Sequence, residues 1–422
     1  MTGYRPRIVD RVVQGALETF GAVVLQGPRA VGKTTTGLQV AASSIRLDSS
    51  PELASLAETS PRTVLTGDAP RLLDEWQLAP VLWNAVRHEI DQRAVPGQFI
   101  LTGSATPPDD ITRHSGAGRF RRVTLRPMTL AESGESIAAF TMADLFDGAA
   151  IGGFGGPTVE DYADLVVRGG WPALVAQPTR SAHDYLNSYL DDITRVDLTE
   201  TGVGVDPMRV RALIRALARN VSTEISVSEL SKEAEIGESG SWVSAQSARK
   251  YLDALSRVFV VEEQPAWSTH LRSKIRLRTS PKWHFVDPSL AAAALGAGRQ
   301  ALLNDLHALG LLFESLCIRD LRAHADQLGG TVYHYRDGSG LEVDAIVELN
   351  NGRWAAFEVK MGGTKNIDKA AANLIALKNK VSEKRSDQLS SLNVLTAGNT
   401  SYTRPDGVNV VALGHLGTDE TS

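Results

Sequence analysis

Short apolar runs alternate with amphipathic stretches through the first third of the chain. Ala22-Val-Val-Leu-Gln26 is followed by a glycine-rich loop and then by a helical pattern over residues 34–42. Arg71-Leu-Leu-Asp74 and Gln98-Phe-Ile-Leu-Thr102 are further apolar runs that end in polar residues. Buried parallel strands look like this where they meet a ligand edge, so a parallel α/β domain is expected. The middle third changes period. Residues 184–198 and 208–219 carry apolar positions at helical spacing, and 227–234, 243–255 and 258–261 read as helix, turn, helix and strand, the order of a winged helix. In the last third, residues 331–336, 342–349 and 354–359 predict strands flanked by helices at 302–322 and 369–380, a second α/β core. Glycine-rich breaks at 148–157 and 295–299 predict a linker and a softer boundary. The expected division is a parallel α/β domain at 1–135, a helical linker region at 136–205, a winged-helix-like domain at 206–290 and a second α/β domain at 300–415.

The chain has 422 residues, room for about three domains. With 42% hydrophobic and 22% charged residues and a mean hydropathy of -0.12, a mostly disordered or repeat-dominated chain is excluded. A net charge of -5 excludes a globally basic nucleic-acid coat but leaves room for a local basic patch. The single cysteine, Cys317, excludes an internal disulfide and a cysteine zinc site and fits a reducing, cytoplasmic compartment. No stretch approaches about 18 uninterrupted apolar residues, and the charged N-terminus is not that of a signal peptide, so no membrane association is expected.

Gly27, Pro28, Arg29, Ala30, Val31, Gly32, Lys33 and Thr34, followed by Thr35, fit G-x-x-x-x-G-K-[ST] at every fixed position, between a strand and a helix. Such glycines let backbone N–H groups turn inward around phosphate oxygens, and the following helix presents its positive end to the anion. Lys33 is expected to bridge the terminal phosphates of ATP and Thr34 to ligate Mg²⁺. Asp74 is expected to organise the metal and Glu75 to polarise the attacking water. Thr102 or Ser104, closing the next strand, is placed to sense the terminal phosphate. Among Arg113, Arg119, Arg121 and Arg122, Arg119 is favoured for neutralising transition-state charge because Gly118 precedes it; acting in trans it requires a homo-oligomer.

These segments resemble the bacterial and archaeal AAA-superfamily ATPases whose P-loop domain is fused to a C-terminal restriction-endonuclease-like domain. The carrying residues are 25–34, Leu73-Asp-Glu-Trp-Gln77, residues 99–105, Gly118-Arg119 and residues 125–132. Beyond the ATPase they are Gly169-Gly-Trp-Pro172, residues 280–287 and Leu312-Phe-Glu314. The resemblance implies an AAA-like P-loop core up to about residue 135. Trp76 departs from the aliphatic residue common between the acids and Gln77.

Glu314 lies in an apolar helical pattern, where an acid needs an explanation. Asp344 sits on one predicted strand, and Glu358 and Lys360 share a face of the next; paired as a hairpin, the strands would bring Asp344 to Glu358. Carboxylates so gathered bind Mg²⁺ or Mn²⁺ through oxygen, with Glu314, Asp344 and Glu358 as ligands, and Lys360 would activate water for phosphodiester hydrolysis. The spacing resembles the PD-(D/E)-x-K nuclease superfamily, with Val343 replacing its proline. The plain alternative is a cross-strand charge pair that only stabilises the sheet.

Residues 206–283 hold 13 Lys/Arg against 9 Asp/Glu. Arg272, Lys274, Arg276 and Arg278 alternate, giving on a strand one cationic face at about 6–7 Å spacing suited to phosphates. Residues 243–255, with Arg249 and Lys250, form the candidate recognition helix for DNA. The leading expectation is an ATP-hydrolysing switch coupled to DNA handling. The rival is an ATP-driven regulator that binds a protein partner and keeps a silent nuclease-like domain.

Overall fold

The computed structural model of the protein describes residues 3–103, 116–198, 206–236, 241–268 and 280–419. It divides into two compact units. The first comprises residues 1–126, 193–205 and 253–260; the second comprises 127–192, 206–252 and 261–422.

The first unit is built on five parallel strands: β1 (Ala22–Gln26), β2 (Ser43–Arg46), β3 (Arg71–Asp74), β4 (Phe99–Gly103) and β5 (Phe120–Thr124), in the order β2-β3-β4-β1-β5. Its helices are α1 (Ile8–Thr19), α2 (Lys33–Val40), α3 (Pro51–Thr59), α4 (Pro61–Leu65) and α5 (Leu82–Arg93). Strand alternation explains why both faces are covered. Ala22 and Val24 of β1 enter a core with Leu73, Trp83, Val86 and Leu101, while Val23 and Leu25 join Val9, Val13 and Val123 in a second core. Because every strand runs the same way, Gln26, Arg46, Asp74 and Gly103 all end at one edge, where such sheets bind ligands.

The second unit contains α6 (Leu130–Ser133), β6 (Phe140–Thr141), α7 (Met142–Asp147), β7 (Gly152–Phe154), α8 (Val159–Arg168) and α9 (Thr179–Asp192). Next come α10 (Pro207–Arg219), α11 (Val227–Glu233), the paired strands β8 (Glu235–Ile236) and β9 (Ser241–Trp242), and α12 (Ala245–Arg257), along which the chain passes into the first unit. Then follow the antiparallel pair β10 (Val261–Gln264) and β11 (Lys282–Phe285), α13 (Pro288–Leu295) and α14 (Arg299–Asn304). The C-terminal part runs α15 (Leu306–Gln327), β12 (Gly330–Arg336), β13 (Glu342–Leu349), β14 (Trp354–Lys360), α16 (Thr364–Lys380), α17 (Glu383–Ser386), β15 (Leu389–Thr396), β16 (Thr400–Thr403), β17 (Asn409–Ala412) and β18 (Leu416–Gly417). Its seven-stranded sheet has the order β12-β13-β14-β15-β17-β16-β7. β12, β13 and β14 are antiparallel neighbours, whereas β15 runs parallel to β14 after the α16 crossover.

Three sequence expectations need correction. The glycine run at 148–157 is not a linker: Gly152–Phe154 pairs with Thr400–Tyr402 as the edge strand of the C-terminal sheet. Glycines carry no alternation, so the periodicity could not reveal a strand there. The break at 295–299 is a helix–helix corner inside the second unit, with Gly296 in the left-handed cap of α13 and Gly298 as the N-cap of α14. The expected helix at 302–322 divides at Asp305, whose carboxylate accepts from Ala308 N–H and starts α15.

A buried ionic network ties distant segments of the second unit. The Arg319 guanidinium lies 2.7 Å from both Asp287 and Asp320. Asp287 also accepts from the N–H groups of Gly170 and Ser289, and Asp320 from Leu130 N–H. Trp171 Nε1 donates to Ser289 Oγ at 3.1 Å. Gly170 must lack a side chain, since a Cβ there would lie 2.0 Å from the Met128 carbonyl oxygen. Removing the guanidinium leaves two buried carboxylates without their cation. Arg319→Ala should cost about 3–5 kcal/mol, read as a lower urea midpoint by tryptophan fluorescence; an unchanged midpoint would show that the network does not hold the fold.

Candidate functional site

The loop at residues 27–32 leaves β1 at the ligand edge. Gly27 has φ +152°, and a Cβ there would meet the Leu125 carbonyl oxygen at 2.1 Å, so the close approach to β5 needs glycine. Ala30 and Gly32 also have positive φ, which turns the loop back into α2. Arg7, buried at the start of α1, braces this loop by donating to the carbonyls of Val31 at 3.1 Å and Arg126 at 2.7 Å. Lys33 Nζ donates to the carbonyls of Gly27 at 3.0 Å and Pro28 at 2.7 Å.

Asp74 ends β3 and is 1% exposed. Its Oδ1 accepts from Thr34 Oγ1 at 2.8 Å and from Thr102 Oγ1 at 2.5 Å, while Oδ2 lies 3.5 Å from Arg46 Nε. Parallel register sets this up, since Asp74 is opposite both Arg46 and Thr102. A hydroxyl beside a buried carboxylate is a hard oxygen set of the kind Mg²⁺ takes. Glu75 follows with φ +56°, an uncommon conformation for a non-glycine residue that costs on the order of 1 kcal/mol. Gln77 Nε2 donates to Glu75 Oε2 and holds the carboxylate in place. Trp76 fills the core under this corner, 5.3 Å from the Trp83 ring.

Arg119 does not reach the loop within its own domain. It precedes β5, and its carbonyl accepts from Ala22 N–H at the opposite end of the sheet from the loop. Its guanidinium pairs with Asp91 at 2.9 Å. It therefore has no place at the phosphate loop of its own domain. Ser104 and Arg113 lie outside the described residues. Arg46 was missed because β2, Ser-Ser-Ile-Arg, has no apolar run; a cation closing a short strand was the available signal.

In the second unit, β13 and β14 are antiparallel neighbours. Asp344 Oδ2 accepts from Val359 N–H at 2.8 Å and lies 3.3 Å from Lys360 Nζ, which is 2.7 Å from Glu358. Asn373 Nδ2 donates to Glu358 at 3.2 Å. Sequence reading missed Lys282. Its buried ammonium lies 3.0 Å from Glu314, 3.0 Å from Glu342 and 3.7 Å from Asp344. Among the described residues, no group of three or more His, Cys, Asp or Glu side chains is arranged to hold a metal ion. The expected ligands Glu314, Asp344 and Glu358 instead face two ammonium groups.

Burial, then the neighbouring Asp344 charge, pushes the Glu314 carboxyl up to about 8 and moves Glu358 upward too. Asp344 is displaced downward against its desolvation, Lys282 and Lys360 being the leading charges that lower it. The three carboxylates hold Lys282 well above its usual range despite burial.

Arg249 and Lys250 are exposed on α12, and Trp242, 57% exposed, lies just before it. The sequence reading passed over that indole, although a tryptophan beside serines was visible. Arg272, Lys274, Arg276 and Arg278 lie outside the described residues.

Glu314 binds its proton more tightly folded than unfolded, so the native state carries the extra proton between about pH 4.5 and 8 and stability falls as pH rises through that window. Glu314→Gln should flatten this part of the profile of thermal midpoint against pH; a wild-type midpoint that rises from pH 5 to 8.5 would contradict the assignment.

Comparison with known proteins gives three family matches along the chain. Residues 19–134 match an AAA domain, residues 159–301 a domain of unknown function (DUF8612) and residues 309–416 another domain of unknown function (DUF4143). Uncharacterized proteins of Mycobacterium bovis and Mycobacterium tuberculosis are each 27% identical over 360 residues, covering 84% of this chain and 74% of their own. The solved Walker-type ATPase of Pyrococcus abyssi aligns with 68% of this chain and 94% of its own, at 14% identity and a TM-score of 0.40. No helix among the described residues is long and apolar enough to cross a membrane. The AAA match, lying over the loop, β3 and β4, supports a P-loop ATPase domain at the N-terminal end of the chain.

Proposed function

We propose that the protein binds and hydrolyses ATP and that this switch governs DNA handling by the C-terminal half. The observation that carries the first part is the meeting of Thr34 and Thr102 hydroxyls on buried Asp74 beside the phosphate loop. Loop N–H groups and Lys33 grip the polyphosphate. Thr34 and Asp74 would hold Mg²⁺, which would supply neutralisation of phosphate charge when bound. Glu75, fixed by Gln77, orients the attacking water and takes its proton, while Thr102 keeps the Asp74 carboxylate aimed at the metal side.

DNA handling is supported by two features. The elements α10, α11, the β8–β9 pair, α12 and the β10–β11 pair follow winged-helix order, with Arg249 and Lys250 exposed on α12. The run α15-β12-β13-β14-α16-β15, with Asp344, Glu358 and Lys360 on β13 and β14, agrees with a restriction-endonuclease-like core. The rival reading, a regulator whose nuclease-like half does not cut, is favoured by one observation: Lys282 lies among the acids expected to hold metal.

Phosphate release with and without duplex DNA tests the proposal. Lys33→Ala should lower turnover by at least ~100-fold. DNA should stimulate the wild type, and Arg249→Glu with Lys250→Glu should remove the stimulation without changing the basal rate. Normal turnover in Lys33→Ala would overturn the ATPase assignment; a rate indifferent to DNA would separate the two halves.

A further inference from the structure

Lys282 belongs to β11, whose backbone is held on both edges. Gln264 of β10 pairs with it on one side and Glu224 bridges to it on the other. Trp283 O accepts from Ser222 N–H at 3.1 Å. Gln264, fully buried, donates through Nε2 to the carbonyls of Tyr333 and Asp344, which fixes β10 against β12 and β13. The strand therefore has little freedom, and its side chain is delivered to one point. Carboxylates from two other elements converge on that point: Glu314 from α15, and Glu342 with Asp344 from one face of β13.

Three carboxylates around one lysine exceed what a single ion pair needs. An ammonium asks for acceptors at about 2.8–3.0 Å, and two of the three oxygens are at 3.0 Å. Mg²⁺ asks for oxygens at about 2.1 Å, so side-chain movements of about 1 Å for Glu314 and Glu342, and somewhat more for Asp344 at 3.7 Å, would convert the same acceptors into metal ligands. Ammonium and dication cannot share the place, because at an effective dielectric near 20 two such charges about 4 Å apart repel by several kcal/mol.

We infer that Lys282 is the resident cation of this carboxylate cluster, and that a hard divalent ion enters only when its ammonium is removed or displaced. The inference deepens the nuclease-like reading of the cluster. Under it, Lys360 is the cation that accompanies the acids, while Lys282 competes with metal for Glu314, Glu342 and Asp344. The seat is then closed by the fold rather than by loss of its acids, all of which are present.

Mn²⁺ uptake by the full chain without nucleotide, followed by electron paramagnetic resonance, tests this. Lys282→Ala should bind one Mn²⁺ at least about tenfold more tightly than the wild type, and adding Asp344→Asn should abolish that gain. Lys282→Arg, which keeps the charge, should remain as refractory as the wild type. Lys282→Gln keeps a donor for the carboxylates and serves if the alanine variant does not fold; Mn²⁺ should then raise its thermal midpoint and leave the wild type unmoved. Equal affinity in wild type and Lys282→Ala, or no uptake by either Lys282→Ala or Lys282→Gln, overturns the inference. Supercoiled plasmid separates it from the nuclease reading: a variant that takes up Mn²⁺ but nicks no DNA leaves the competition standing and removes the nuclease.

Discussion

Taking a carboxylate out of water costs several kcal/mol even after the protein relaxes. One unit charge about 4 Å away returns about 4 kcal/mol at an effective dielectric near 20. A single partner leaves little over, so a buried acid that persists must have several. Asp74 has two hydroxyls and Arg46. Asp287 has Arg319 and two backbone N–H groups. Asp344 has one backbone N–H and two lysines. The demand for multiple partners draws separate strands and helices to the same points, and it is where both halves of the molecule concentrate their chemistry.

The kind of partner decides what each acid can do next. Hydroxyls are neutral and can rotate. Thr34 and Thr102 both donate to Asp74, and Thr34 can turn to present a lone pair instead of a proton. Ammonium groups consume the charge they satisfy. Around Asp344 the two lysines compensate it, and Lys282 also faces Glu314. Around Asp74 two neutral hydroxyls stand beside the exposed Arg46 guanidinium, whereas the C-terminal cluster holds two lysines among its acids.

Sequence legibility followed the same physics. The phosphate loop was readable because its requirements are local: glycines at fixed spacing, a lysine, and a strand and helix on either side. Asp74 and Glu75 were readable because an apolar strand ending in acids is also local, and the strands carrying Asp344 and Glu358 could be drawn from alternation. Lys282 was not, since nothing in the chain between positions 282 and 314, which are 32 apart, ties it to Glu314; only the fold supplies that contact. For Arg119 an action within its own domain was not excluded by sequence, because a motif position does not say at which end of a parallel strand a residue stands. Its place just before β5 puts it at the end away from the loop. Arg46 and the edge strand at Gly152–Phe154 were invisible for a shared reason, as serines and glycines leave no hydrophobic period.

The segments that carried the family resemblance beyond the ATPase domain have a different explanation from the acids. Gly169 and Gly170 have no room for a side chain, Trp171 donates to Ser289, and Asp287 with Asp320 encloses Arg319. Packing and the need to compensate buried charge are enough to constrain these residues. Shared sequence in such a region therefore argues for a shared fold and is silent about chemistry. The acids near Lys282 stand apart, because four carboxylates meet only two lysines there, a larger excess of acid than the two aspartates around Arg319. Keeping four carboxylates and two lysines there is costly packing for a purely structural role, which makes that cluster, and not the family signatures around it, the place in the second unit where function is to be sought.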